Sequence, residues 1–210
     1  MRKIVILGAG GFGREVAWVV ERINAARPTY DLLGFCDDAE DKREGTCGTY
    51  PLLGPISLVK ARFGTVGFFC AIGNNRARQA VTLRAVAAGL EPVTLVDPTA
   101  AIAPGVEIGK GSYVGIGSIV SVGAKTGEGV LINHQVCVGH DVTLGDYVQL
   151  CPGVCVSGGC TVGEGVLFGT LAGAIPRKKI GAWSTVGAGT MALRDVEESA
   201  TVIRLPVRGK

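Results

Sequence analysis

The chain has 210 residues, 47% hydrophobic and 19% charged, which suits one or two compact domains and excludes both disorder and a coiled coil. Lys and Arg number 21 against 18 Asp and Glu, for a formal net charge of +3 with no basic block. Neither a nucleic-acid partner nor a membrane surface therefore has electrostatic support, and a small-molecule partner is expected.

The apolar stretch Ile4 to Gly13 runs directly into Arg14 and Glu15. It is too short for a membrane span and lacks a signal cleavage pattern, so a cytoplasmic location is expected. Lys3 to Leu7 reads as a buried strand, Gly8 to Gly13 as a tight turn, Arg14 to Asn24 as a helix and Leu32 to Cys36 as a second strand ending at Asp37 and Asp38. A third strand, Val66 to Ile72, leads through Gly73-Asn74-Asn75 to a helix from Arg76 to Ala88. Residues 1–97 are thus expected to form a small parallel α/β domain of Rossmann-like type. Its turn fits G-x-G-x-x-G through Gly8, Gly10 and Gly13, with an acidic pair at the offset used to bind a ribose, which taken alone argues for NAD. Fewer than a hundred residues supply only about half of a dinucleotide fold, however, and a glycine turn at a helix N-terminus serves any phosphate.

Thr94 to Ala101, with Pro98, leads into the second domain, residues 98–210, which ends in a C-terminal tail. From Ile102 in steps of six to Ala192, twelve of sixteen residues are Val, Ile or Leu. The next position is small or glycine in fourteen, and the position four after the aliphatic is Val, Ser, Thr, Ala or Cys in fifteen. Such a period is the mark of a β-solenoid of hexapeptides. Three hexads make one triangular coil, the aliphatic pointing inward, the small residue at the corner and the β-branched residues on the extended edge. Sixteen hexads give a little over five coils. The hexad Ala174 to Lys179 breaks the pattern and is expected to mark an irregular corner or a coil near the cofactor, the alternative being a tolerated surface defect. Twenty of the chain's 33 glycines fall between Ala101 and Val196. The seven cysteines, odd in number and without a CxxC pair, read as mostly buried thiols, and Cys151 and Cys155 as packing residues rather than metal ligands.

The repeat resembles the hexapeptide-repeat acyltransferases, whose domain is a left-handed parallel β-helix and which form trimers holding an acyl-CoA between subunits. Both halves together resemble the NeuD/PglD-type sugar acetyltransferases, those of the sialic-acid O-acetyltransferase and bacillosamine N-acetyltransferase type. The matching features are Gly8 to Arg14, Gly34-Phe35 with Asp37-Asp38, Ile72-Gly73-Asn74-Asn75, Ile132-Asn133 and Val138-Gly139-His140-Asp141. The resemblance implies that the α/β domain binds a nucleotide-linked sugar, of uridine-diphosphate type rather than NAD, through Gly8, Gly10, Gly11, Gly13, Asp37, Asp38, Asn74 and Asn75. It implies further that the solenoid binds acetyl-CoA, that Asn133 lies near the acceptor sugar, and that the active sites of a homotrimer lie between subunits. The chain departs from the family at Gln149, where many members carry a second histidine near the cofactor. A second departure is Arg204-Leu205-Pro206-Val207, in place of the usual Gly-x-Pro-Ala.

His134 and His140 are the only histidines, both at the third position of their hexads. Stacking at eighteen residues puts Val122 below His140 and Gly158 above it, leaving room for a thioester beside a backbone N–H that can meet an oxyanion. Imidazole is suited to taking a proton from an attacking amine near neutral pH, so His140 is expected to be the general base; the resemblance implies that Asp141 orients or polarises it, the alternative being a carboxylate from elsewhere, since a strand neighbour points to the opposite face. His134 reads as an exposed or interface residue. Gly158, Thr170 and Ala188 are small and are expected to line the pantetheine arm. The function expected is acetyl transfer from acetyl-CoA to the C4 amino group of a nucleotide-linked amino-deoxy-sugar by direct attack. O-acetylation of a sugar hydroxyl, as in sialic acid, and a non-catalytic nucleotide-sugar-binding scaffold are the alternatives. No metal is expected: the zinc carbonic anhydrases that share such a prism need three histidines.

Overall fold

The structure, a computed structural model, describes residues 1–39 and 45–203, which group into two units, Met1–Pro98 and the residues from Thr99 on. In the first unit, β1 (Arg2–Leu7) buries Ile4 through Leu7 completely, as a strand covered on both faces of a parallel sheet must. It is followed by α1 (Gly11–Ala26), β2 (Tyr30–Cys36), a hairpin of β3 (Thr46–Cys47) and β4 (Tyr50–Pro51), α2 (Val59–Phe63), β5 (Gly67–Cys70), α3 (Asn75–Ala87) and β6 (Glu91–Pro92). The sheet order is β2-β1-β5-β6, all parallel. From β2 the chain crosses to the far side of β1, so the space beyond the C-terminal ends of β1 and β5 is the switch point at which such sheets open a crevice. Helix α1 begins at Gly11, inside the stretch expected to be a turn, because Gly11 to Gly13 already carry helical backbone. The third strand stops at Cys70 rather than Ile72.

In the second unit, two-residue strands stack in register on three faces. The first face runs Ala101–Ile102, Ile119–Val120, Cys137–Val138, Cys155–Val156, Gly173–Ala174 and Met191–Ala192. The sixteen hexads give a little over five coils, and the bridge at Val196 with the strand Thr201–Val202 completes a shortened sixth. There Thr185 pairs with Thr201 and Ile180 with Val196, sixteen residues on instead of eighteen. Position 1 of each hexad fills the prism, with Val114, Val120, Ile132, Val138, Leu150 and Phe168 fully buried, each worth roughly 1.5–3 kcal/mol. Position 5 turns inward too, as at Val130, Val136, Val142, Val148 and Val154. It lies beside the turn and not on the extended edge, and this corrects the assignment of the β-branched residues. The hexad from Ala174 holds the regular geometry, its strands paired on both sides.

The corner lies at positions 3 and 4. All fifteen fourth positions from Gly105 to Gly189 have φ between 54° and 79°, the second central residue of a type II-like turn. Nine are glycine and six are not, Gln135 and Asp141 among them. A second set of nine glycines stands at position 2, where a Cβ would press on the coil above, 2.7 Å from Glu164 N at Gly145 and 2.6 Å from Ala188 N at Gly169. The twenty solenoid glycines are thereby accounted for except Gly158 and Gly173, which belong to neither set.

Candidate active site

His140 and Asp141 are the third and fourth residues of one hexad. Because Asp141 adopts φ 57°, its carboxylate does not point to the opposite face as a strand neighbour would. It turns back beside the imidazole, with His140 Nδ1 2.9 Å from Asp141 Oδ2. A left-handed conformation is more readily tolerated by Asp than by most residues. The two side chains are 66% and 71% exposed, and an ion pair so placed adds little to stability. One coil above lies Gly158. A Cβ there would stand 2.6 Å from His140 Cε1 and 2.8 Å from Cδ2, and closer still to Nε2, so that its three nearest atoms all belong to that ring. The imidazole therefore lies flat over a gap that only glycine leaves. One coil below, a Cβ at Gly123 would overlap Asp141 Oδ1. The ladder between coils uses the N–H groups of positions 2, 4 and 6, as at Gly139, Asp141 and Cys137. The third-position N–H of Gly158 is outside that ladder.

His134 occupies the equivalent place on the next corner with a different result. Its Nδ1 accepts the Ile116 N–H at 3.2 Å, and its ring meets Tyr113 edge-on at 6.3 Å between centroids. It is half-buried rather than exposed, being held by the coil below it. The Asn133 side-chain carbonyl accepts the N–H of His134 at 2.8 Å. Gln149 donates to the Cys151 thiol at 3.6 Å. Thr170 and Ala188 lie on the His134 corner, whereas Gly158 lies on the His140 corner, so the three do not form a single line. The segment Arg204-Leu205-Pro206-Val207 lies outside the described residues.

In the first unit a cleft of about 220 Å³ opens at the strand ends, lined among others by Gly8, Asp37, Asp38, Ile72 and Arg84. Asp37 Oδ2 accepts the Ala9 N–H at 2.9 Å, tying the end of β2 to the glycine turn. Asp38 accepts the Ile56 N–H and pairs with Arg84. The glycines divide by role. Gly8 has φ +103°, and a Cβ at Gly13 would overlap the Gly8 carbonyl, whereas Gly10 and Gly11 face open space at the N-terminus of α1, where N–H groups and the helix dipole favour an anion. Asn74 caps α3 by accepting the Ala77 N–H at 2.9 Å. Asn75 is buried and accepts from Arg78, itself 1% exposed and donating also to the Ile72 carbonyl at 3.1 Å. Cys36 lines the same cleft, and burial, with Asp38 adding to it, pushes its thiol up to about 12, so it is no nucleophile. Arg78 and Arg84 escape sequence reasoning because arginine on a helix reads as a solvated face.

Among the described residues no group of three or more His, Cys, Asp or Glu could hold a metal ion, and no helix is long and apolar enough to cross a membrane. No curated protein sequence matches the chain. Residues 3–85 match the PglD N-terminal domain family. Among solved structures, the acetyltransferase domain of PglB from Neisseria gonorrhoeae FA1090 is 30% identical over 97% of both chains, with a TM-score of 0.88, and is also known in complex with acetyl coenzyme A. PerB from Caulobacter crescentus, solved with CoA and GDP-perosamine, is 31% identical over 98% of this chain and 96% of that one, with a TM-score of 0.86. WeeI from Acinetobacter baumannii AYE is 25% identical over 99% of each chain, with a TM-score of 0.87.

Proposed function

The chain belongs to the NeuD/PglD-type sugar acetyltransferases, with a small α/β domain followed in sequence by a left-handed β-helix, and from that membership we propose that it acetylates the C4 amino group of a nucleotide-linked amino-deoxy-sugar. It is an acetyl-CoA-dependent sugar N-acetyltransferase, as its relatives with bound acetyl-CoA, or with CoA and GDP-perosamine, support. The finer reading is carried by one observation, the His140–Asp141 pair laid over Gly158. Asp141 holds Nδ1, which leaves Nε2 as the basic atom. The acceptor nitrogen attacks the thioester carbonyl as His140 Nε2 takes its proton. The new N–C bond forms, the C–S bond breaks and CoA leaves as a thiolate that is then protonated. The Gly158 N–H supplies the donor to the developing oxyanion, worth about 10²–10³ in kcat where such donors have been removed. Gly10 and Gly11 receive the diphosphate at the start of α1, and the cleft beside Asp37 and Asp38 takes the nucleoside. Thr170 and Ala188 carry the pantetheine arm on the neighbouring corner, so that a complete site draws on two subunits of a homotrimer. The exposed corner side chains Val122 and Leu171 support such a contact.

The test is release of CoA thiol from acetyl-CoA against UDP-, GDP- and dTDP-linked 4-amino-sugars and sialic acid, with His140→Ala alongside. Turnover on an amino-sugar that is lost in the variant supports the proposal. Turnover on sialic acid alone, or none at all while acetyl-CoA still binds, overturns it. A stable monomer in sedimentation at micromolar concentration would remove the shared site.

A further inference from the structure

Asp37 and Asp38 are neighbours in sequence with different employment. Asp37 gives one carboxylate oxygen to the Ala9 N–H at 2.9 Å and the other to the Ala39 N–H at 3.1 Å, so it shapes the backbone beside the glycine turn. Asp38 accepts the Ile56 N–H at 3.3 Å and pairs through its other oxygen with Arg84. Asp38, Ile56 and Arg84 line both the cleft of about 220 Å³ and an adjoining hollow of about 320 Å³, so the two charges are reached from open space. Ile56, Ile72 and Val81 supply apolar walls to the cleft. Val81 and Arg84 stand three apart on α3 and therefore share one face of the helix. The side chains of Arg84 and Asp38 are 56% and 44% exposed, too open for the pair to add much to folding. A carboxylate has about four lone-pair sites and a guanidinium about five N–H donors, so each keeps capacity for a ligand.

We propose that the Asp38–Arg84 pair selects guanine, which makes the acceptor a GDP-linked sugar rather than one of the uridine type that the resemblance implies. The inference rests on the nucleotide-linked-sugar reading and adds the base to it. Apolar walls hold any base by its faces and discriminate weakly. Choice comes from the edge. Guanine carries two adjacent donors, N1–H and the N2 amino group, followed by one acceptor, O6. A carboxylate beside a guanidinium presents the complement, two acceptors followed by a donor. Uracil and thymine set a single N–H between two carbonyls, which turns one carboxylate oxygen against a carbonyl. Adenine and cytosine place a ring acceptor where the carboxylate needs a donor. Among these bases guanine alone satisfies both charges at once.

The test is isothermal titration of the full-length protein with GDP, UDP, dTDP and ADP. GDP should bind about 10- to 100-fold more tightly than the other three, the discrimination that one bidentate base contact gives. Arg84→Met should lower the affinity for GDP by about 10-fold and that for UDP by less than about 3-fold. Asp38→Asn should lose the preference for GDP and gain one for xanthosine diphosphate, whose C2 carbonyl accepts from the amide where the guanine amino group donated to the carboxylate. The asparagine carbonyl still accepts the Ile56 N–H, so a merely structural Asp38 would show no such exchange of ligands. UDP or dTDP binding as tightly as GDP overturns the inference, as does a GDP preference that survives in Asp38→Asn. Binding of none of the four overturns the nucleotide-linked-sugar reading and this inference with it, which keeps the two failures distinct.

Discussion

Replacing Gly158 by alanine tests whether the gap above His140 positions the base. The backbone φ at Gly158 is outside the left-handed region, so alanine carries no conformational penalty there. The three atoms nearest to its methyl belong to the His140 ring, at 2.6 Å from Cε1, 2.8 Å from Cδ2 and closer still to Nε2. Real Cβ contacts do not come that close, so the ring must rotate by tens of degrees. That costs about 0.5–1.5 kcal/mol as an off-rotamer χ angle and moves Nε2 by about 1 Å, a misplacement that lowers rates about 100-fold. We expect kcat in the CoA-release assay to fall about 100-fold, KM for acetyl-CoA to change by less than about 3-fold, and thermal stability to hold. In the double variant Gly158→Ala/His140→Ala the loss should be no greater than in His140→Ala alone, because both changes remove one group. Retention of activity within about 2-fold would falsify the positioning argument. So would full additivity of the two losses.

Other outcomes follow from the same geometry. Gly13→Ala, whose methyl would overlap the Gly8 carbonyl, should destabilise the first unit by about 1–3 kcal/mol. Gly10→Ala and Gly11→Ala should leave the melting temperature unchanged and weaken nucleotide-sugar binding, as isothermal titration can measure. In the solenoid, Gly105→Ala at φ +79° should cost about 1–2 kcal/mol, and Ser199→Gly at φ 58° should raise the melting temperature by about 2–4 °C. Cys36 has its thiol pushed up to about 12 from an ordinary value of 9.0 by burial. Above pH 9 the unfolded chain therefore releases this proton first, and stability falls as pH rises from about 9 toward 12. Chemical denaturation across that range should show Cys36→Val with a shallower alkaline decline than the wild type. Equal slopes would refute the assignment.

The solenoid was legible because position 1 repeats without interruption for sixteen hexads, a period that no helix or plain strand shares. The left-handed turn was not, since Gln135, Asp141, Tyr147, Leu171, Arg177 and Trp183 stand where glycine would have announced it. Position 5 carries β-branched and small residues for packing beside the turn, a role that propensity alone cannot tell from an extended edge. The shortened last coil was hidden because a step of four residues, from Ala192 to Val196, does the work of six. In the first unit the strands β1, β2 and β5 are long apolar runs and read directly, whereas β3, β4 and β6 have two residues each and no period to detect. At the candidate site the adjacency of His140 and Asp141 was visible, but their contact depends on the φ of Asp141. The register of Cys137 with Cys155 follows from a separation of eighteen residues, three hexads.

The most direct test of acetyl transfer by a His140 base compares wild type with His140→Asn on the best acceptor, measuring turnover together with the affinities for CoA and for the nucleotide-linked sugar. The account predicts that turnover falls by about 10²–10⁴ while both affinities stay within a few-fold. Turnover within a few-fold of wild type, or loss of binding in parallel with activity, contradicts the account.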